Sequence, residues 1–248
     1  YFGRWQGMRS LLSLIGSFLI IIYVLLPLLI KGYNPVLISV LLGSFILGIA
    51  IFFTHGFNFK SLIAFSGTVI SVCITGLLAL FSVKILNLSG FFSDETVYLN
   101  FSTQGSLDFQ GLLLGGIIIG VLGVLDDIAT TQVAVVAELK KAADNISAKD
   151  LYRQALNVGN EHISALVNTL VLAYAGVSLP LLLWFSQSES EFGKIINNEI
   201  FATEIARTLV GSIGLILTVP ITTFLAVKFV DKYKHLKSHR DHHHHNHG

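Results

Sequence analysis

The stretch GLLLGGIIIGVLGVLDDIATTQVAVVAEL, residues 111–139, decides the reading of this chain. It is apolar for longer than the roughly 20 residues a helix needs to cross a bilayer. Yet its interior carries two adjacent carboxylates, Asp126 and Asp127. An ionisable side chain at bilayer depth costs about 2.5–3.5 kcal/mol on insertion scales. A membrane helix that keeps two side by side uses them chemically or buries them against partners.

The rest of the chain is of the same kind. It is 53% hydrophobic and 12% charged, with a mean hydropathy of +0.72. A soluble domain carries about 25% charged residues. The composition therefore predicts an all-α polytopic transmembrane bundle. Six apolar runs are long enough to span, at about 11–30, 35–53, 62–86, 110–139, 162–185 and 205–229. They define a membrane domain over 11–230, between an N-terminal stub at 1–10 and a basic, His-rich tail at 231–248. The first run has no small-residue cleavage site, so it reads as a span and not a signal peptide. The chain starts at Tyr1 and its only methionine is Met8, which predicts a fragment without its natural N-terminus. Cys73 is the only cysteine, so no intrachain disulfide and no thiol metal site is expected. It reads as a small core or lipid-facing residue.

Lys and Arg set the expected orientation. Twelve of the sixteen fall on the side of the N-terminus: Arg4, Arg9, Lys60, Lys140, Lys141, Lys149, Arg153, Lys228, Lys232, Lys234, Lys237 and Arg240. The other side has Lys31, Lys84, Lys194 and Arg207. Both termini are thus predicted to be cytoplasmic. The loops at 87–109 and 186–203 are then external, and the charged, helix-compatible stretch 140–161 is cytoplasmic.

At 100° per residue, Gly120, Gly123, Thr131 and Glu138 fall within about 40° of Asp127. Asp126 points about 100° away, with Thr130 one turn below it. Buried or crowded carboxyls resist ionisation, which makes the pair a candidate proton or cation site. Thr130 and Thr131 would orient the carboxylates or coordinate an ion. Glu138 is a further member at the cytoplasmic end, or else a solvated surface acid. The fifth run adds a second polar stripe of Ser164, Asn168, Ala175 and Ser178, with Glu161 beside it. Asn168 lies about as deep as Asp127, so its amide could bond an Asp across the helix interface or act as interhelical glue. The bland alternative for the whole set is that one Asp bonds a Thr or Asn and locks the bundle.

Other features are more modest. Gly111, Gly115, Gly116, Gly120 and Gly123 recur at the spacing of close helix packing. Thr68, Ser71, Thr75 and Ser82 align as a packing face of the third span. Pro180 is expected to kink the fifth span near its outer end. Pro220, in the sixth, is expected to free carbonyls that Thr218, Thr222 and Thr223 help satisfy. Arg207 snorkels or pairs with Glu204, snorkelling being the simpler expectation. The C-terminal histidines could bind zinc or nickel or form an unassigned tail, so metal binding is left open. His55 and His162 sit at cytoplasmic helix ends.

No P-loop, no dinucleotide fingerprint and no HExxH motif is present, so no cofactor is expected. The chain is not expected to be an enzyme. A paired-Asp protease needs carboxylates that face one another from different helices, and Asp126 and Asp127 diverge on one. The expected partners are the lipid bilayer and a homo-oligomer or partner membrane protein, with no nucleic acid.

Five blocks carry a resemblance to a known family. They are GRWQGMRSLL at 3–12, THGFNFKSL at 54–62, GVLDDIATTQ at 123–132, VGNEHISALVNTLVLAYAGVSLPLLL at 158–183 and RTLVGSIGLILTVPITT at 207–223. In this order they resemble the YibE/F family of bacterial membrane proteins. The resemblance implies a multi-pass protein of the bacterial plasma membrane and supplies no mechanism. Family members usually carry a further N-terminal anchor and an external segment before the GRW block. In pattern, the chain is also similar to SecD/SecF and other RND-type permease domains, which use carboxylates in a fourth helix to harness a proton gradient. The large external domain those proteins carry between their first two helices is here only about KGYNP. The transport-type module is the leading functional expectation, and a scaffold or accessory subunit of an export or envelope complex is the alternative.

Overall fold

The computed structural model describes the backbone of residues 4–91, 93–187 and 192–243, and the side chains of 7–91, 93–187 and 193–230. Side-chain readings for Arg4, for the basic residues beyond 230 and for the C-terminal histidines lie outside the described residues.

Every described element is a helix. The first span is α1 (Arg4–Ile20), a π-helical turn (Ile21–Leu25) and α2 (Leu26–Ile30). Then follow α3 (Pro35–His55), α4 (Phe59–Ile85), a short α5 (Asp94–Ser102), α6 (Phe109–Ala142), α7 (Ala148–Val177), α8 (Leu179–Ser186), α9 (Phe192–Ile196) and α10 (Glu199–His243). Five spans are long and apolar enough to cross a membrane, and α7 with α8 makes a sixth if that bent pair counts as one.

The helix starts follow from side chains that satisfy orphan N–H groups. Asn34 accepts from the Leu37 amide at 3.0 Å, Asn58 from Ser61 at 2.9 Å, and Asp108 from Gly111 at 2.9 Å. Ser147 accepts from Asp150 at 3.1 Å. The charged stretch at 140–161 is therefore not a separate surface element. Its first residues close α6 and, from Ala148, the rest is nearly the first half of α7.

The π turn follows from Pro27, which has no N–H to donate back to the preceding turn. The Leu26 amide donates instead to the Ile21 carbonyl, five residues back, and the helix takes up an extra residue. The expected kink near Pro180 is present: the chain breaks at Ser178, and α8 leaves α7 at 63°. Pro220 is accommodated inside a continuous α10. Thr218 and Thr223 donate to the carbonyls four residues before them, of Gly214 and Val219. Neither of these is the Ile216 carbonyl, which Pro220 deprives of its usual partner.

The core lies among α3, α4, α6, α7 and α10. Leu47, Val72, Ile118, Leu125 and Leu215 form its centre. The α4 polar face packs as expected, with Thr68, Ser71 and Thr75 buried and each hydroxyl donating to its own helix. Two reciprocal contacts join α4 to α10: Gly67 lies under Thr222, and Gly214 lies under Thr75. Eight residues separate the members of each pair along both helices, in opposite directions, so α4 and α10 run antiparallel. On α6, Gly111 and Gly115 leave no room for a Cβ, whereas Gly116 and Gly123 face open space. Only part of the glycine series is thus a packing surface.

Gln132 joins three helices. Its Nε2 donates to the Ala155 carbonyl of α7 at 2.7 Å and to Thr223 Oγ1 of α10 at 2.8 Å. Gly159 packs against this amide. At the far end of the bundle, the Glu199 carboxylate accepts from the amides of Ser89 at 2.6 Å and Gly90 at 3.0 Å. Gly90 has φ +78, and a Cβ there would meet the Phe109 backbone, so only glycine fits.

Candidate functional site

The two carboxylates of α6 are not equivalent. Asp127 lies on the exposed side of the helix with Gly120, Gly123, Thr131 and Glu138. Asp126 is turned inward, and its Oδ1 is buried with no hydrogen-bond partner among the described residues. A buried oxygen left without a donor costs about 1–3 kcal/mol, more when charged. Such an atom marks a site where a proton, water or ion belongs.

Both carboxylates line a cleft of about 540 Å3 bounded by α1, the π turn, α3 and α6. α1 packs mainly against α3, which leaves a gap between α1 and α6. Ser10, Ser13 and Ser17 line it from α1, and Thr54 and His55 from the end of α3. The spacing brings these serines to one side of α1. Ser13 is 6% exposed, and its Oγ is a second buried atom with no partner. Asp127 lies within electrostatic reach of His55 on α3 and His162 on α7.

Of the predicted set, the structure brings together Asp126 and Asp127. Thr130 is adjacent, but its hydroxyl donates to the backbone carbonyls of Asp126 at 3.0 Å and Asp127 at 3.2 Å, so it does not orient either carboxylate. Thr131 and Asn168 lie on exposed helix faces, and no bond joins Asn168 to an Asp among the described residues. Glu138 accepts from Lys141 at 2.6 Å in an exposed pair, the surface alternative. Arg207 pairs with Glu204 at 3.0 Å, both three-quarters or more buried, in place of snorkelling. Cys73 is exposed on the bundle surface. Among the described residues no cluster of three or more His, Cys, Asp or Glu could hold a metal ion.

The α1 serines and Gln132 escaped the sequence reading. Both had a signal. Ser10, Ser13 and Ser17 recur at intervals of three and four in an otherwise apolar run, and Gln132 is an amide at depth on the same helix as the Asp pair.

No curated protein and no solved structure matches the chain. A family profile described as YibE/F-like protein matches residues 1–232. With nearly the whole length matched and the apolar helices in place, the chain belongs to the YibE/F-like family of membrane-type helical proteins.

Proposed function

We propose that this protein is a transport-type membrane module whose proton or cation site is Asp126, with Asp127 as its partner. One observation carries the reading: a carboxylate of a spanning helix that lines a cleft and has one oxygen buried and unpartnered. Asp126 takes up the proton or ion, and Asp127, on the exposed side, links it to the surroundings. Ser13 and Ser17 supply hydroxyl oxygens from the facing wall. The chain works without cofactor or covalent chemistry, in a bacterial plasma membrane, with both termini in the cytoplasm as the Lys and Arg distribution favours.

The test is flux in liposomes reconstituted with the full chain. An imposed pH gradient is followed with an entrapped pH dye, and a sodium gradient with radiolabelled sodium. Wild type should dissipate one of them faster than empty liposomes, and Asp126→Asn should return it to background while folding as a monodisperse helical protein. Flux unaffected by Asp126→Asn, or no flux in wild type, overturns the reading.

The second reading, a scaffold or accessory subunit, is favoured by the short helix α5. Within the 87–109 loop it exposes Tyr98 at 74% and Phe101 at 78%, a surface suited to a partner membrane protein or a second copy. Asp126→Asn would then leave function intact.

A further inference from the structure

The cleft is too large for an ion alone. It holds about 540 Å3, within the range of pockets that enclose small organic ligands, roughly 300–1,000 Å3. Its two ends differ in chemistry. One is mostly apolar, walled by Phe18, Ile21, Ile46 and Leu122, with Ser17 beside Phe18. The other carries Asp126 and Asp127 with the hydroxyls of Ser10, Ser13 and Thr54. Among the described residues the lining includes no Lys or Arg, and His55 is its only basic side chain. The α1 wall is itself exposed at Leu14 (54%) and Phe18 (58%), so the cleft is reached from the side, where the bilayer lies.

Two buried atoms at the acidic end lack partners: Asp126 Oδ1, which accepts, and Ser13 Oγ, which accepts and donates. Both are closed off from the open cleft as the side chains stand, so an occupant meets them only after each side chain turns toward it, and must then bring N–H or O–H donors. Facing two carboxylates, it must also be cationic. The rest of its body must be apolar to fill the remaining volume.

We infer that the α1–α3–α6 cleft binds an amphiphilic organic monocation, a protonated amine with an alkyl or aryl body, its ammonium group between Asp126 and Ser13. This rests on the proposed site and names the class of solute it serves. The ammonium donates to Asp126 Oδ1 and Ser13 Oγ, the two unsatisfied atoms. The body enters between α1 and α6.

The test is equilibrium binding of tritiated phenylbutylammonium to the full chain in nanodiscs, with empty nanodiscs as blank and phenylbutanol as the uncharged competitor. Wild type should bind the amine saturably, and the alcohol should not compete. Asp126→Asn removes the charge and should weaken binding by about tenfold or more, the scale of a hydrogen bond to a charged group. Leu14→Trp, an exposed cleft residue, keeps both carboxylates and should weaken binding by filling the cleft. Ser13→Ala should weaken it by a smaller factor. No saturable binding in wild type, or binding in Asp126→Asn or in Leu14→Trp as tight as in wild type, overturns the inference. Ion flux lost in Asp126→Asn without amine binding leaves the ion site standing and removes the amine. Amine binding without ion flux does the reverse.

Discussion

Replacing Gln132 tests whether the three-helix junction below the Asp pair holds the bundle. The amide makes two interhelical bonds from one nitrogen, to the Ala155 carbonyl at 2.7 Å and to Thr223 Oγ1 at 2.8 Å. The Thr223 hydroxyl already donates to the Val219 carbonyl at 2.7 Å, so its oxygen can only accept from Gln132. Both partners are acceptors, and the junction needs a donor. Interhelical hydrogen bonds in membranes average about 0.6 kcal/mol and reach about 1.7. Losing both in Gln132→Leu, which keeps the volume, should cost about 1–3 kcal/mol. Gln132→Glu is nearly the same shape but brings acceptor oxygens against two acceptors at a residue only 3% exposed. It should cost more than the leucine, about 3 kcal/mol or above, since a buried charge without a partner is heavily penalised. Unfolding by a denaturing detergent in bicelles reads both. The reasoning fails if Gln132→Glu is no worse than Gln132→Leu, or if both match wild type.

Two further substitutions probe other joints. Gly67→Ala places a Cβ 2.8 Å from Thr222 Oγ1. It should lower stability by about 1–3 kcal/mol, the usual cost of overpacking, and Thr222→Ala in the same chain should recover part of it, read as a coupling energy in a double-mutant cycle. Gly90→Ala should loosen the far end of the bundle and raise hydrogen exchange of the Ser89 and Gly90 amides. Glu199→Gln should do so less, by about 1 kcal/mol, because Ser89 is exposed and charged hydrogen bonds weaken in water.

Much of the fold was legible because the bilayer constrains it so tightly. Long apolar runs, Asn and Asp caps, and Pro180 each carry their meaning locally, and the structure follows them. The direction in which a helix faces is not local. The 100° between Asp126 and Asp127 could be read from spacing, but which one turns inward depends on where α3 and α10 pack. The sequence reading took the two as a pair, and the structure turns Asp126 inward and leaves Asp127 on the exposed side. The same holds for Asn168, whose depth along α7 was legible and whose rotation, onto an exposed face, was not. The junction of Glu199 with Ser89 joins residues more than a hundred positions apart, and no pattern along the chain announces it.

The π turn of the first span acts as a gear between two tasks. Ser13 is buried beside the cleft, and Leu25 and Leu29 are buried in the core. In an unbroken α-helix, Leu25 and Leu29 would point roughly 120° and 160° away from Ser13. The extra residue taken up between Ile21 and Leu25 sets that register back by about 100°, to roughly 20° and 60°. One edge of a single helix can then grip the bundle with its outer turns and present hydroxyls to Asp126 with its inner ones. Restoring the regular pitch with every residue kept, as Pro27→Ala would favour by returning the missing N–H, would force a choice. Either the leucines stay seated and the serines swing out of the cleft, or the serines stay and the outer half of the span lets go.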